Sequence, residues 1–112
     1  QNSLKIREII EEKEDSFIKN TIWNYFSPKG NINNWIDEIS DRFYGKILRD
    51  IGMKIDKNII LSKLNDSIKK YEQISLKKPK YDQNEYETEK TKLFDELRSG
   101  FNEIKEVLAN GL

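Results

Sequence analysis

At 112 residues the chain is long enough for one modest hydrophobic core and too short for two. Apolar residues make up 36% and charged residues another 36%, with five Gly and two Pro, a mixture poor for sheets and good for amphipathic helices. The formal net charge of zero supplies no bulk attraction to nucleic acid or anionic lipid, and the absence of Cys and His removes disulfides, thiolate chemistry, the usual general base and the commonest zinc ligand.

The charge is unevenly spread. Residues 51–80 carry eight Lys against Asp56, Asp66 and Glu72, whereas residues 81–112 carry four cations against eight acids. Neighbouring basic and acidic helices that pair with one another account for this pattern. No stretch of 18 apolar residues occurs, so no membrane span is expected. The chain begins with Gln rather than Met, as a processed protein or a domain excised from a longer chain would. A cytoplasmic setting is favoured, with a processed secreted or surface protein as the alternative. The Ile, Lys and Asn bias fits an A/T-rich bacterial, phage or parasite genome.

The first predicted helix covers about 3–26. Asn2 or Ser3 can cap it, and Ile6, Ile10, Phe17 and Thr21 fall near one face. The acidic run Glu11–Ser16 interrupts the apolar stripe, and Pro28 and Gly30 end the helix. The second, about 33–51, starts at Asn33 or Asn34. It carries Trp35, Ile36, Ile39, Phe43, Ile47 and Ile51 at steps of three and four, and Gly52 stands where a left-handed residue is wanted. Between the two lies "IWNYFSPKGNINNW", residues 22–35, with both tryptophans of the chain. In an antiparallel hairpin turning at 27–31, Trp23 and Phe26 would meet Trp35 across the corner and close the end of the core. The other uses of these rings are a ligand pocket or a partner surface.

Asp56 can cap a third helix of about 57–73, with Ile60, Leu64, Ile68 and Tyr71 on its apolar face. A basic loop with Pro79 follows. The fourth helix, about 83–109, places Tyr86, Leu93, Leu97, Phe101, Ile104 and Leu108 close to a heptad seam, through which a second copy could associate. Gly100 interrupts this helix at a propensity cost of about 1 kcal/mol. Four helices, with joints that are short except the third, predict a single all-α domain, an antiparallel four-helix bundle spanning 1–112.

One constellation carries chemistry. Glu12-Lys-Glu-Asp15 on the first helix and Glu38-Ile-Ser-Asp41 on the second each place two carboxylates on one helix face. Facing each other, such pairs can hold Mg²⁺ by oxygen alone. Glu8 and Glu11 offer a second register for the first pair. Together with "GMKID" (52–56) and "SKLNDSIKKY" (62–71), the two pairs resemble the E-x-x-E … E-x-x-D signature of the all-α nucleoside triphosphate pyrophosphohydrolases, the MazG and dimeric dUTPase-like superfamily. The resemblance covers roughly residues 8–72, with Asp15 in place of the family's Glu and Ser67 in place of its Asn. It implies Glu12, Asp15, Glu38 and Asp41 as metal ligands, Lys63 and Lys70 facing phosphates, Tyr71 near the nucleotide, and Mg²⁺ as cofactor.

The residues read on their own favour a different function. Acids in so charged a chain are most simply a solvated face, and no catalytic constellation involving His or Cys is available. The leading expectation is a non-catalytic helical module, without a cofactor, that binds another protein: an accessory, adaptor, immunity or processed surface protein. The pyrophosphohydrolase is the alternative. Nucleic-acid binding ranks third, since the faint helix-turn-helix look of residues 47–65 lacks an arginine on its second helix.

Overall fold

The computed structural model describes residues 2–23, 31–54, 56–77 and 82–110. The chain is all-α, with no strand among these residues. Helix α1 is α-helical over Asn2–Phe17 and continues as a π-helix over Ile18–Trp23. Helix α2 begins at Ile32–Asp37, widens to a π-helix over Glu38–Gly45 and returns to α geometry over Lys46–Asp50. Then come α3 (Lys57–Lys63), α4 (Asn65–Lys77) and α5 (Gln83–Ala109).

The π segments follow from the apolar spacing. Ile6, Ile10, Ile18 and Ile22 are buried, and with Glu14 they form a stripe in steps of four. In α2, Trp35, Ile39, Phe43 and Ile47 repeat the same step. Four residues overshoot a 3.6-residue turn, so such a stripe drifts round an α-helix. The wider π turns absorb the excess and hold the stripe on the core.

The ends are fixed by side-chain caps where the sequence predicts them at Asp56, and also at two places it does not single out. Asn31 caps α2 by accepting from the Asn33 N–H at 2.8 Å, so Asn33 and Asn34 lie within the first turn rather than before it. Asp56 accepts from Asn58 N–H at 2.9 Å, and Asp82 from Glu85 N–H at 2.8 Å. Helix α2 stops as expected at Gly52, whose φ of 73° suits a residue without Cβ. There Met53 N–H donates to the Leu48 carbonyl at 2.7 Å.

The predicted third helix is two helices. Leu64 leaves helical geometry (φ −101°, ψ 8°), and its N–H is shared between the Ile60 and Leu61 carbonyls. The break sits against Gly100 of α5. A Cβ on Gly100 would lie 2.8 Å from the Lys63 carbonyl oxygen and 2.8 Å from Leu64 Cδ2. Gly100 is therefore where α5 and the α3–α4 joint approach backbone to backbone.

Long-range pairs orient the elements. Arg7 meets Glu106, Glu11 meets Lys105, Phe17 stacks towards Phe101 and Trp23 packs on Phe94, so α1 and α5 run in opposite directions. Lys63 of α3 beside Gly100 and Lys70 of α4 paired with Glu89 give α3 and α4 together the same relation to α5. That last pair joins the basic and acidic portions of the chain. The core centres on Phe43, Tyr44 and Phe101, with Tyr44 5.2 Å from Phe101, and the half-buried Phe17 stacks on Phe43 at 4.3 Å. All six residues of the α5 seam are buried within the chain itself. No described helix is long and apolar enough to cross a membrane.

Candidate functional site

Three of the four proposed metal ligands stand beside cations. Glu12 and Asp15 are exposed on α1, and Asp15 pairs with Lys19 one turn on, at 2.9 Å. Glu38 pairs with Arg42, also one turn on. Asp41 lies 3.8 Å from Lys57 Nζ, which donates to Asp37 at 2.8 Å. Glu12 borders a shallow depression with Lys13, Arg42 and Lys46, whereas Glu38 and Asp41 border two other cavities. Among the described residues no group of three or more acids could hold a metal ion. Mg²⁺ takes oxygen ligands, and three of these four carboxylates, Asp15, Glu38 and Asp41, stand instead beside ammonium or guanidinium groups.

The residues expected at phosphate and nucleotide have structural partners. Lys70 is half-buried in its ion pair with Glu89, which holds the Glu89 carboxyl below its ordinary range through the hydrogen bond from Lys70. Tyr71 is buried, its ring 5.0 Å from that of Trp35, and burial pushes its hydroxyl up. Lys63 places its carbonyl against Gly100.

The two indoles go to different helices. Trp35 is buried against Tyr71, and its Nε1 has no hydrogen-bond partner among the described residues. Trp23 packs on Phe94 with ring centroids 4.5 Å apart and tilted by 55°. Phe26 and residues 27–30, the expected corner, lie outside the described residues.

Two concavities flank these rings. A cleft of about 640 Å³ is lined by Thr21, Asn34, Trp35, Asp37, Glu38, Arg42 and Tyr71, among others. Its charged groups are matched internally or by Lys57. The second is a groove of about 290 Å³ between α1 and α5, where the partly exposed Trp23 lies over the buried Ile18 and Phe94, with Lys19, Thr91 and Arg98 around them. Lys90 Nζ stands 4.4 Å from the centre of the Trp23 ring. Ile18, Lys19 and Trp23 belong to the π segment of α1, while Thr91, Phe94 and Arg98 share one face of α5.

Sequence reasoning passed over Lys90, Phe94 and Arg98, and also Glu14. Glu14 occupies the core-facing stripe of α1, half-buried, with Oε2 shielded from solvent and without a hydrogen-bond partner among the described residues. Burial pushes its carboxyl up, partly relieved by Lys105. The Tyr44 hydroxyl, wholly buried and without a hydrogen bond among the described residues, is raised well above its ordinary range by burial and then by Glu14. The four-residue step through Ile10 and Ile18 was the signal that places Glu14 on the core face. No local signal pairs Trp23 with Phe94, 71 positions further on.

Compared with protein-family models, with curated proteins and with solved structures, the chain matches none.

Proposed function

We propose that this chain is an antiparallel bundle of four helical rods, α3 and α4 together forming the third. We propose that it works as a non-catalytic module that binds another protein, in the manner of an accessory, adaptor or immunity protein. The opposed pairings of α5 with α1 and with the α3–α4 rod support the bundle. The groove at Trp23 carries the functional reading. A tryptophan only partly covered, beside an apolar hollow and rimmed by charge, is the kind of residue that dominates binding energy at protein interfaces.

The alternative, a Mg²⁺-dependent nucleoside triphosphate pyrophosphohydrolase or a degenerate relative, draws on Glu38 and Tyr71 lining one cleft. The ion pairs of Asp15, Glu38 and Asp41 weigh against it. The test is affinity capture with the whole chain and with Trp23→Ser, the latter checked for unchanged helicity. The protein-binding reading expects discrete proteins retained by the first and lost from the second. Identical capture by both would count against the groove.

A further inference from the structure

Resting on the protein-binding reading, we infer that the Trp23 groove takes an acidic amphipathic segment of its partner: one large apolar side chain flanked by carboxylates at helical spacing. Size comes first. At about 290 Å³ the groove is at or below the small end of the clefts that enclose drug-sized ligands, and its partly covered Trp23 ring, backed by the buried Ile18 and Phe94, suits a single inserted side chain. Charge comes second. Lys19 and Arg98 line the hollow, Lys90 stands over the Trp23 ring, and no acid lines it among the described residues. Lys19 does pair with Asp15, but both side chains are 63% exposed, so solvent screens that pair and a partner carboxylate can compete for the ammonium.

Spacing comes third. Lys90, Phe94 and Arg98 follow at intervals of four on α5, and Lys19 and Trp23 stand four apart on α1. Two cations on one wall and a third on the other thus bracket the Trp23 ring. An amphipathic helix laid along this groove would present an apolar anchor at one position and Glu or Asp one turn to either side. Complementary charge of this kind steers encounter and fixes register, while the anchor supplies the hold.

The experiment uses the whole 112-residue chain and fluorescein-labelled helical peptides in an anisotropy titration. One peptide carries a Leu-Phe anchor flanked by Glu at helical spacing; its twin has Lys at every Glu. The inference expects the acidic peptide to bind at least about tenfold tighter than its twin, with the preference shrinking as salt rises through the screening range. Trp23→Ser should weaken both peptides, and Lys90→Glu combined with Arg98→Glu should reverse the preference towards the Lys twin. A melting curve on each variant confirms folding. Equal binding of the twins, failure of the charge reversal to change the preference, binding of a single-stranded oligonucleotide in place of the peptide, or self-association that blocks the groove would each overturn it. If the peptides fail while photo-crosslinking from Thr91 still captures a partner, the acidic assignment falls and the protein-binding reading stands.

Discussion

The backbone of Gly100 rests against the carbonyl of Lys63, with room for no side chain between them: a Cβ would stand 2.8 Å from that oxygen. Helix propensity alone favours alanine over glycine by about 1 kcal/mol at an interior helical position. Contact reverses the sign here, because the obstructing atom is backbone and cannot swing aside. Gly100→Ala should therefore destabilise the protein by about 1–3 kcal/mol, the usual cost of overpacking. Urea denaturation of the two proteins measures this directly.

Phe101 joins three helices at one point, lying within ring contact of Phe17, Phe43 and Tyr44 and shielded completely from solvent. Phe101→Ala should cost about 3–5 kcal/mol through lost burial and the cavity left behind. Leu76 is 80% exposed, and Leu76→Ala should stay within about 0.5 kcal/mol of the parent. The pair of unfolding midpoints checks both.

Glu14 and Glu106 should respond to pH in opposite senses. Burial holds the Glu14 carboxyl above its ordinary value, so the folded state keeps that proton to higher pH than the unfolded chain does. Stability from this group is present in acid and is lost as pH rises from the ordinary carboxylate value through the raised one. Glu14→Gln should accordingly raise the melting temperature at neutral pH and have little effect in acid. Arg7 holds Glu106 down through a bidentate pair, Nη2 to Oε1 at 2.7 Å and Nε to Oε2 at 3.2 Å. Its contribution is present above the ordinary value and lost as pH falls through the lowered one, so Glu106→Gln should lower the melting temperature at neutral pH and converge with the parent in acid. Melting curves across pH 3–8 separate the two.

Much of the fold is legible in the sequence, and the reasons differ by element. Asp56 announces a helix start and Gly52 a helix stop because both act through their own backbone neighbours. The α5 seam is legible because one long helix repeats one pattern. The break at Leu64 is not, since Lys63 to Asn65 contains no Gly or Pro; its cause is close approach to Gly100, far along the chain. The candidate site was harder still. The acid pairs at Glu12, Asp15, Glu38 and Asp41 have the right spacing for a shared face, yet spacing does not reveal that Lys19, Arg42 and Lys57 stand beside them. Trp23 is visible in the sequence as a large aromatic near a break, but the Phe94 it packs on and the Lys90 over its ring come from another helix.

Those ion pairs lead to a metal prediction. Mg²⁺ or Mn²⁺ at millimolar concentration should leave the melting temperature unchanged beyond ionic screening. Glu38→Gln should cost no more than about 0.5 kcal/mol, the worth of an exposed pair one helical turn apart. A metal-dependent rise in melting temperature that Glu38→Gln abolishes, together with cleavage of a triphosphate to monophosphate and pyrophosphate, would establish the enzymatic reading instead.

The central claim is that the α1–α5 groove is where another protein docks, and site-specific photo-crosslinking tests it most directly. Thr91 lies on the rim of the groove beside Phe94 and is exposed, whereas Ser62 is exposed on α3. A benzoylphenylalanine placed at position 91 of the whole chain should yield discrete protein adducts in an extract of the source cells. Trp23→Ser should abolish them, and the same probe at position 62 should give none. Adducts that form equally from both positions, or that survive loss of the indole, would contradict it.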